Sequence, residues 1–222
     1  MVLFASLPSL SFMIPLLSFR KDVYSAGIIY HGAAIMAADH ASTKQIILTL
    51  GGARSGKSDH AEAAALQLTQ ADKALIYLAT GQAFDEEMKT RIGRHQTRRD
   101  ARFTTVEAPL NIADVLADYG AGDVVMIDSI GVWITNHMMA EHDLPAVMAE
   151  TIAAMEAASC TIVLVSDEVG MGIVPEGKMS RDFRDHIGMM NQSVASIANM
   201  VVFVVAGLPM IIKSDKNNPS SS

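Results

Sequence analysis

Apolar residues along this chain fall into short unbroken runs, separated by longer stretches in which they recur every three to four positions. The runs at residues 45–50 (QIILTL), 74–79 (ALIYLA), 123–128 (DVVMID), 161–166 (TIVLVS) and 201–206 (VVFVVA) are too short for helices. Each predicts a strand buried on both faces. Residues 102–107 (RFTTVE) and 210–213 (MIIK) add two further strand candidates. Between them, residues 57–68, 85–99, 144–158 and 180–200 carry helical patterns. The last places Phe183, Ile187, Met190, Val194 and Ile197 on one face. The helix expected over 85–99 opens on acidic residues and closes on arginines, which suits its dipole. Strands alternating with helices of ten or more residues predict βαβ units, hence an α/β fold with a mainly parallel sheet. No internal repeat or linker divides it, so one domain is expected over 44–213.

The two ends read differently. Residues 1–18 are apolar but interrupted by Pro8 and Pro15, with Arg20 and Lys21 only afterwards. A signal peptide would carry its positive charge first, and the stretch is marginal for a spanning helix. Residues 1–43 are expected to be a disordered extension or a mis-called start, and a membrane anchor is the less favoured reading. Residues 214–222 (SDKNNPSSS) are polar and expected to form a disordered tail.

Composition narrows the function. Half of the residues are apolar and only 5% aromatic, the aliphatic mix of a sandwiched sheet. A net charge of −7 gives no footprint for a nucleic-acid partner. A local basic cluster at Arg91, Arg94, Arg98, Arg99 and Arg102 is either a solvated helix end or an anion-binding group. Cys160 is the only cysteine, so neither an intrachain disulfide nor a cysteine-based metal site is available. A reducing cytoplasm fits that composition.

The strongest chemical signal is Gly51-Gly52-Ala53-Arg54-Ser55-Gly56-Lys57-Ser58, which matches the P-loop pattern GxxxxGK[ST]. A strand ends before it and a helix starts within it, as the mechanism requires. Glycines let peptide N–H groups turn inward around phosphate oxygens, and the helix N-terminus adds partial positive charge. Lys57 is then placed to reach the β- and γ-phosphates, and Ser58 to ligate Mg²⁺. Asp128, closing the run DVVMID, is the expected second Mg²⁺ residue. Glu168, also at a strand end, either completes the metal site or meets substrate. On the helix expected over 85–99, His95 falls on the face of Met88 and Ile92. That spacing alone fits a satisfied core histidine better than a catalyst.

Six segments occur in an order that resembles one enzyme family: GGARSGKSDHAE (51–62), YLAT (77–80), DEEMKTRIGRHQTRR (85–99), TTVEAP (104–109), DSIGVWITN (128–136) and DEVGMGIVPEGKMSRDFRDHIGMMNQ (167–192). Together they look like the bifunctional adenosylcobinamide kinase/adenosylcobinamide-phosphate guanylyltransferase, over residues 45–213. The resemblance implies a RecA-like, doubly wound P-loop NTPase fold with helices on both faces of the sheet, assembled as a homotrimer. It implies phosphorylation of the aminopropanol hydroxyl of the corrinoid adenosylcobinamide with ATP or GTP, then transfer of GMP from GTP. His95 takes the position of the family's GMP-carrying histidine, and a largely neutral imidazole suits attack on phosphorus. Nucleotide contacts carry over to residues 51–58, to Ala79, Thr80 and Gly81, to Gln96, Thr97, Arg98 and Arg99, and to Glu107 and Asp128. Arg184, Gly188 and Asn191 are expected on a face away from the apolar stripe, near the active site or a neighbouring subunit. Three departures stand out: Asp167 replaces the usual Asn of SNEVG, SIGVW replaces CLTLW after Asp128, and Phe103 replaces Trp. Two rival readings are a small-molecule kinase with a structural His95, and a non-catalytic GTP sensor.

Overall fold

The apolar runs assemble into one seven-stranded sheet in the computed structural model, which describes residues 44–81 and 99–214. In chain order the elements are β1 (Ile46–Gly51), α1 (Lys57–Leu68), β2 (Leu75–Ala79), β3 (Thr104–Glu107), α2 (Ile112–Ala117), β4 (Val124–Asp128) and α3 (Ile130–Met139). They continue with α4 (Leu144–Ala157), β5 (Thr161–Asp167), α5 (Lys178–Ile197), β6 (Met200–Val205) and β7 (Leu208–Ser214). The strands lie side by side as β3-β2-β4-β5-β1-β6-β7. Every neighbouring pair is parallel except β6 and β7, which form an antiparallel hairpin.

Strict alternation along the strands sends side chains to two cores. Ile47, Met126, Val163, Val165, Val202 and Val204 pack on one face against Ala61, Ala64 and Ala65 of α1. The small alanine side chains let that helix lie close to the sheet. Leu48, Ile76, Ile127, Leu164 and Val201 face the other way, against Trp133, Met155, Ile187, Met190 and Val194 of α3–α5. Helices therefore cover both faces of the central strands, which explains why β1, β2, β4 and β5 are largely apolar, whereas the edge strand β3 (TTVE) is mostly exposed.

The strands appear where expected, with ends shifted by up to two residues. β7 includes Ser214, which pairs with Met200, so the structured chain runs through the first residue of the expected tail. α1 has the expected bounds, while α5 begins at Lys178 and ends at Ile197. Two helices, α2 and α3, were not expected at all. α3 is buried around most of its circumference, at Ile130, Gly131, Trp133, Ile134, Asn136 and His137. A helix without a solvated face carries no apolar stripe in its sequence. The helix expected over 85–99 lies outside the described residues, apart from Arg99.

Candidate active site

Because the sheet is parallel, the ends of β1, β2, β3, β4 and β5 meet at one edge. There Gly51 pairs with Asp167, Ala79 with Glu107 and with Asp128, and Asp128 with Val165. Carboxyl edges of open α/β sheets are where ligands bind.

The phosphate loop leaves β1 at Gly51 and enters α1 at Lys57. A Cβ at Gly51 would sit 2.3 Å from the Ser55 Oγ and 2.7 Å from the Val204 carbonyl oxygen, so the backbone approaches more closely than any side chain allows. Gly56 sits at φ 95°, in the left-handed region. No side chain caps the N-terminus of α1, which leaves its first N–H groups available to an anion. The Ser55 N–H donates to the Gly52 carbonyl at 3.2 Å, and the Gly207 N–H donates to the Ser55 carbonyl at 2.8 Å. The Ser55 hydroxyl is buried without a hydrogen-bond partner inside the loop. Buried polar atoms are almost always satisfied, so an orphan inside this glycine-rich loop suits a polar ligand. Lys57 Nζ donates to the Gly52 carbonyl at 3.3 Å and forms an ion pair with Asp167 Oδ1 at 2.8 Å. Ala53 and Arg54 are exposed, and Arg54 also takes a positive φ.

Asp128 ends β4, two strands from β1. Its Oδ2 accepts a hydrogen bond from the Tyr77 hydroxyl at 2.9 Å. Burial, and then the charge of Asp128, push the Tyr77 hydroxyl far above its ordinary value, so it stays a donor. The Arg99 guanidinium lies 3.1 Å over the Tyr77 ring centroid and donates to the Thr105 Oγ1 at 2.8 Å. Phe103 closes the ring's edge, with centroids 6.2 Å apart.

Thr80 is wholly buried, and both functions of its hydroxyl are engaged by Ser129, as donor to its carbonyl and acceptor from its N–H, each at 2.9 Å. Its side chain thus braces the β4–α3 junction, and Gly81 follows it at the edge. Asn136 ties the same junction to the next loop, donating to the Thr80 carbonyl at 2.8 Å and the Pro109 carbonyl at 2.9 Å. Glu107 is exposed at the end of β3.

Asp167 ends β5 and Glu168 follows it, and the two carboxylates meet different neighbours. Asp167 joins Lys57 on the α1 side. Glu168 turns toward α5, where its Oε1 accepts from the Gly170 N–H at 2.6 Å. It lines a groove of about 360 Å³ with Leu50, Arg184, Gly188, Asn191 and Ile212. Arg184 donates to the Gly170 carbonyl at 3.0 Å, at the groove wall. Asn191, expected away from the apolar stripe, is instead buried beside it. It donates to the Asp167 carbonyl at 3.1 Å and accepts from the Ser166 hydroxyl at 2.6 Å, because α5 presses that edge onto β5.

His95, Gln96, Thr97 and Arg98 lie outside the described residues, as do Arg91 and Arg94. Arg102, the last of the basic cluster, is exposed and paired with Asp100 at 3.0 Å. The sequence did not point to Tyr77 or Asn136; it singled out Asp167 as a departure from the family pattern that adds charge near the phosphate region, without naming Lys57 as its partner. Only strand register, which pairs Tyr77 with Met126 and so puts it on the face of Asp128 two residues on, would have found the first.

Among the described residues, no helix is long and apolar enough to cross a membrane. No group of three or more His, Cys, Asp or Glu is gathered there as a metal site.

Comparison with known proteins converges on one family. The family model described as cobinamide kinase / cobinamide phosphate guanyltransferase matches residues 47–212. The bifunctional adenosylcobalamin biosynthesis protein CobP of Pseudomonas aeruginosa is 40% identical over 172 residues, covering 76% of this chain and 97% of that protein. Its counterpart CobU of Escherichia coli is 37% identical over 184 residues, covering 76% of this chain and 99% of the relative. CobU of Salmonella typhimurium is 36% identical, with the same coverage. The matched span runs from β1 into β7 and so takes in the phosphate loop, the carboxylates at the strand edge and the α5 groove. On that extent of likeness, the chain belongs to the cobinamide kinase / cobinamide phosphate guanyltransferase family.

Proposed function

We propose that this chain is the bifunctional transferase its relatives are named for, phosphorylating adenosylcobinamide with ATP or GTP and then transferring GMP from GTP to the product. The observation that carries the reading is the phosphate loop: a tight glycine-rich turn at the head of an uncapped helix, with Lys57 bonded back to the Gly52 carbonyl. In the kinase step the loop residues 51–58 hold the phosphates. Lys57 offsets the charge that develops on the transferred group, while the aminopropanol hydroxyl attacks it in line. The Ser58 hydroxyl and the Asp128 carboxylate, the latter oriented by Tyr77, would hold Mg²⁺ together with phosphate oxygens. The ion would neutralise charge on those oxygens.

In the second step, His95 attacks the α-phosphorus of GTP, expelling pyrophosphate, and then passes the GMP to the phosphate of adenosylcobinamide phosphate. This role follows from the family resemblance of its segment. Gln96, Thr97, Arg98, Arg99 and Glu107 would contact the guanine nucleotide. Of these, Glu107 stands at the strand edge beside Ala79, and Arg99 lies over the Tyr77 ring. Gly81 would contribute its backbone there. A homotrimer in the cytoplasm completes the reading.

The decisive experiment separates the two steps. Purified protein is incubated with α-labelled GTP, and acid-labile label on the protein is measured beside phosphoryl transfer to adenosylcobinamide. Wild type should show both. His95→Asn should lose the adduct and the guanylyl transfer while retaining measurable kinase activity. Retention of the adduct would assign the nucleotide to another residue, and loss of both with a lowered thermal midpoint would return His95 to a structural role.

A further inference from the structure

Lys57 is the cation the phosphate loop offers to a nucleotide, yet it already has an anion. Asp167 Oδ1 is 2.8 Å from its Nζ, with the lysine side chain 13% and the aspartate 29% exposed. The aspartate is held where it is. The next peptide N–H, of Glu168, donates to the Gly51 carbonyl at 3.1 Å, and Asn191 grips the Asp167 carbonyl from α5. A Cβ at Gly131 would lie 2.5 Å from the other carboxylate oxygen, so the bare backbone at the start of α3 makes the space that oxygen uses.

We propose that Asp167 sets the nucleotide affinity of this enzyme by competing with the incoming phosphates for Lys57. The proposal rests on the phosphate-site reading given above. A triphosphate entering the loop brings several negative charges to a lysine whose charge is already balanced. Either the ion pair breaks or two anions share one partly buried cation, and each alternative weakens binding. Asparagine at this position keeps the shape and a hydrogen-bond acceptor for Lys57 but removes the competing charge.

The test is GTP binding by calorimetry in EDTA, at about 50 and 300 mM KCl, for wild type, Asp167→Asn and Asp167→Ala. Removing the charge should tighten metal-free binding about five- to thirty-fold, between the ranges of exposed and buried pairs. The gain should shrink at the higher salt. Unliganded variants should melt below wild type, because Lys57 has lost its counter-charge, and GTP should raise their midpoints more than it raises wild type's. Equal or weaker metal-free binding by both variants overturns the proposal. So does weakening confined to Mg²⁺-containing buffer, which would make Asp167 a metal ligand. If wild type binds GTP neither with nor without Mg²⁺, the phosphate-site reading falls and takes this inference with it.

Discussion

Replacing Gly51 with alanine puts one carbon atom where the phosphate loop has no room for it. The new Cβ would lie 2.3 Å from the Ser55 Oγ and 2.7 Å from the Val204 carbonyl oxygen. The hydroxyl can rotate away. The carbonyl cannot, because it belongs to β6, whose register with β1 is fixed from Met200 to Val204. Overpacking of this kind costs about 1–3 kcal/mol. For a domain of this size that is a thermal midpoint lowered by roughly 2–12 °C. Two other glycines of the loop supply controls. Alanine at Gly52 meets nothing within 4 Å and should leave the midpoint within about 1 °C. Alanine at Gly56 must adopt φ 95°, at about 1–2 kcal/mol, or roughly 2–8 °C. Differential scanning calorimetry of the three variants without ligand, followed by GTP titration, gives the order. Gly51→Ala with the midpoint and GTP affinity of wild type would refute the close approach on which the cradle depends.

Lys57→Ala should abolish phosphorylation of adenosylcobinamide, since such a phosphate clamp supplies several kcal/mol to the transition state; near-normal turnover would remove the P-loop assignment. Stability should also fall on acidification. The buried His137 is held below the usual 6.5 by desolvation above all, opposed by its hydrogen bond to the Leu110 carbonyl and aided by the neighbouring His142, and burial lowers His60 as well. Below about pH 6.5 the unfolded chain therefore binds more protons than the folded one, so stability is present above that pH and is lost as pH falls through it. The midpoint should drop between pH 7.5 and 5.5, and His137→Asn should lose part of that drop; a flat wild-type profile would contradict the buried neutral histidine.

Strands buried on both faces announce themselves in sequence, and the phosphate loop is legible because its glycines, lysine and serine each answer to one mechanical need. What failed to show was whatever depends on pairing across the sheet. Asp167 and Glu168 are adjacent carboxylates at one strand end, yet one meets Lys57 and the other the α5 groove. With Val163 and Val165 on the α1 face, the side taken by Asp167 was available in principle. Tyr77 was hidden differently: it reads as one more apolar strand residue until β2 is laid beside β4 and its hydroxyl meets Asp128. Asn136 and His137 were lost inside a helix whose sequence has no polar side to locate it. Thr80, in the segment 79–81 expected at the nucleotide, spends its hydroxyl on Ser129, a contact that strand pairing alone reveals.

The turn between β6 and β7 reaches back to the phosphate loop. Ala206 and Gly207 take the two positive φ angles of a two-residue hairpin connection, and the Gly207 N–H donates to the Ser55 carbonyl at 2.8 Å. A loop made near residue 55 is thus fastened by a residue some 150 positions later in synthesis. A ribosome-stalled chain ending before Gly207 would already carry the whole glycine-rich motif, yet it should fail to be retained on immobilised GTP. Competence for nucleotide would then arrive with the last hairpin, leaving the growing chain inert toward GTP until its fold is nearly complete.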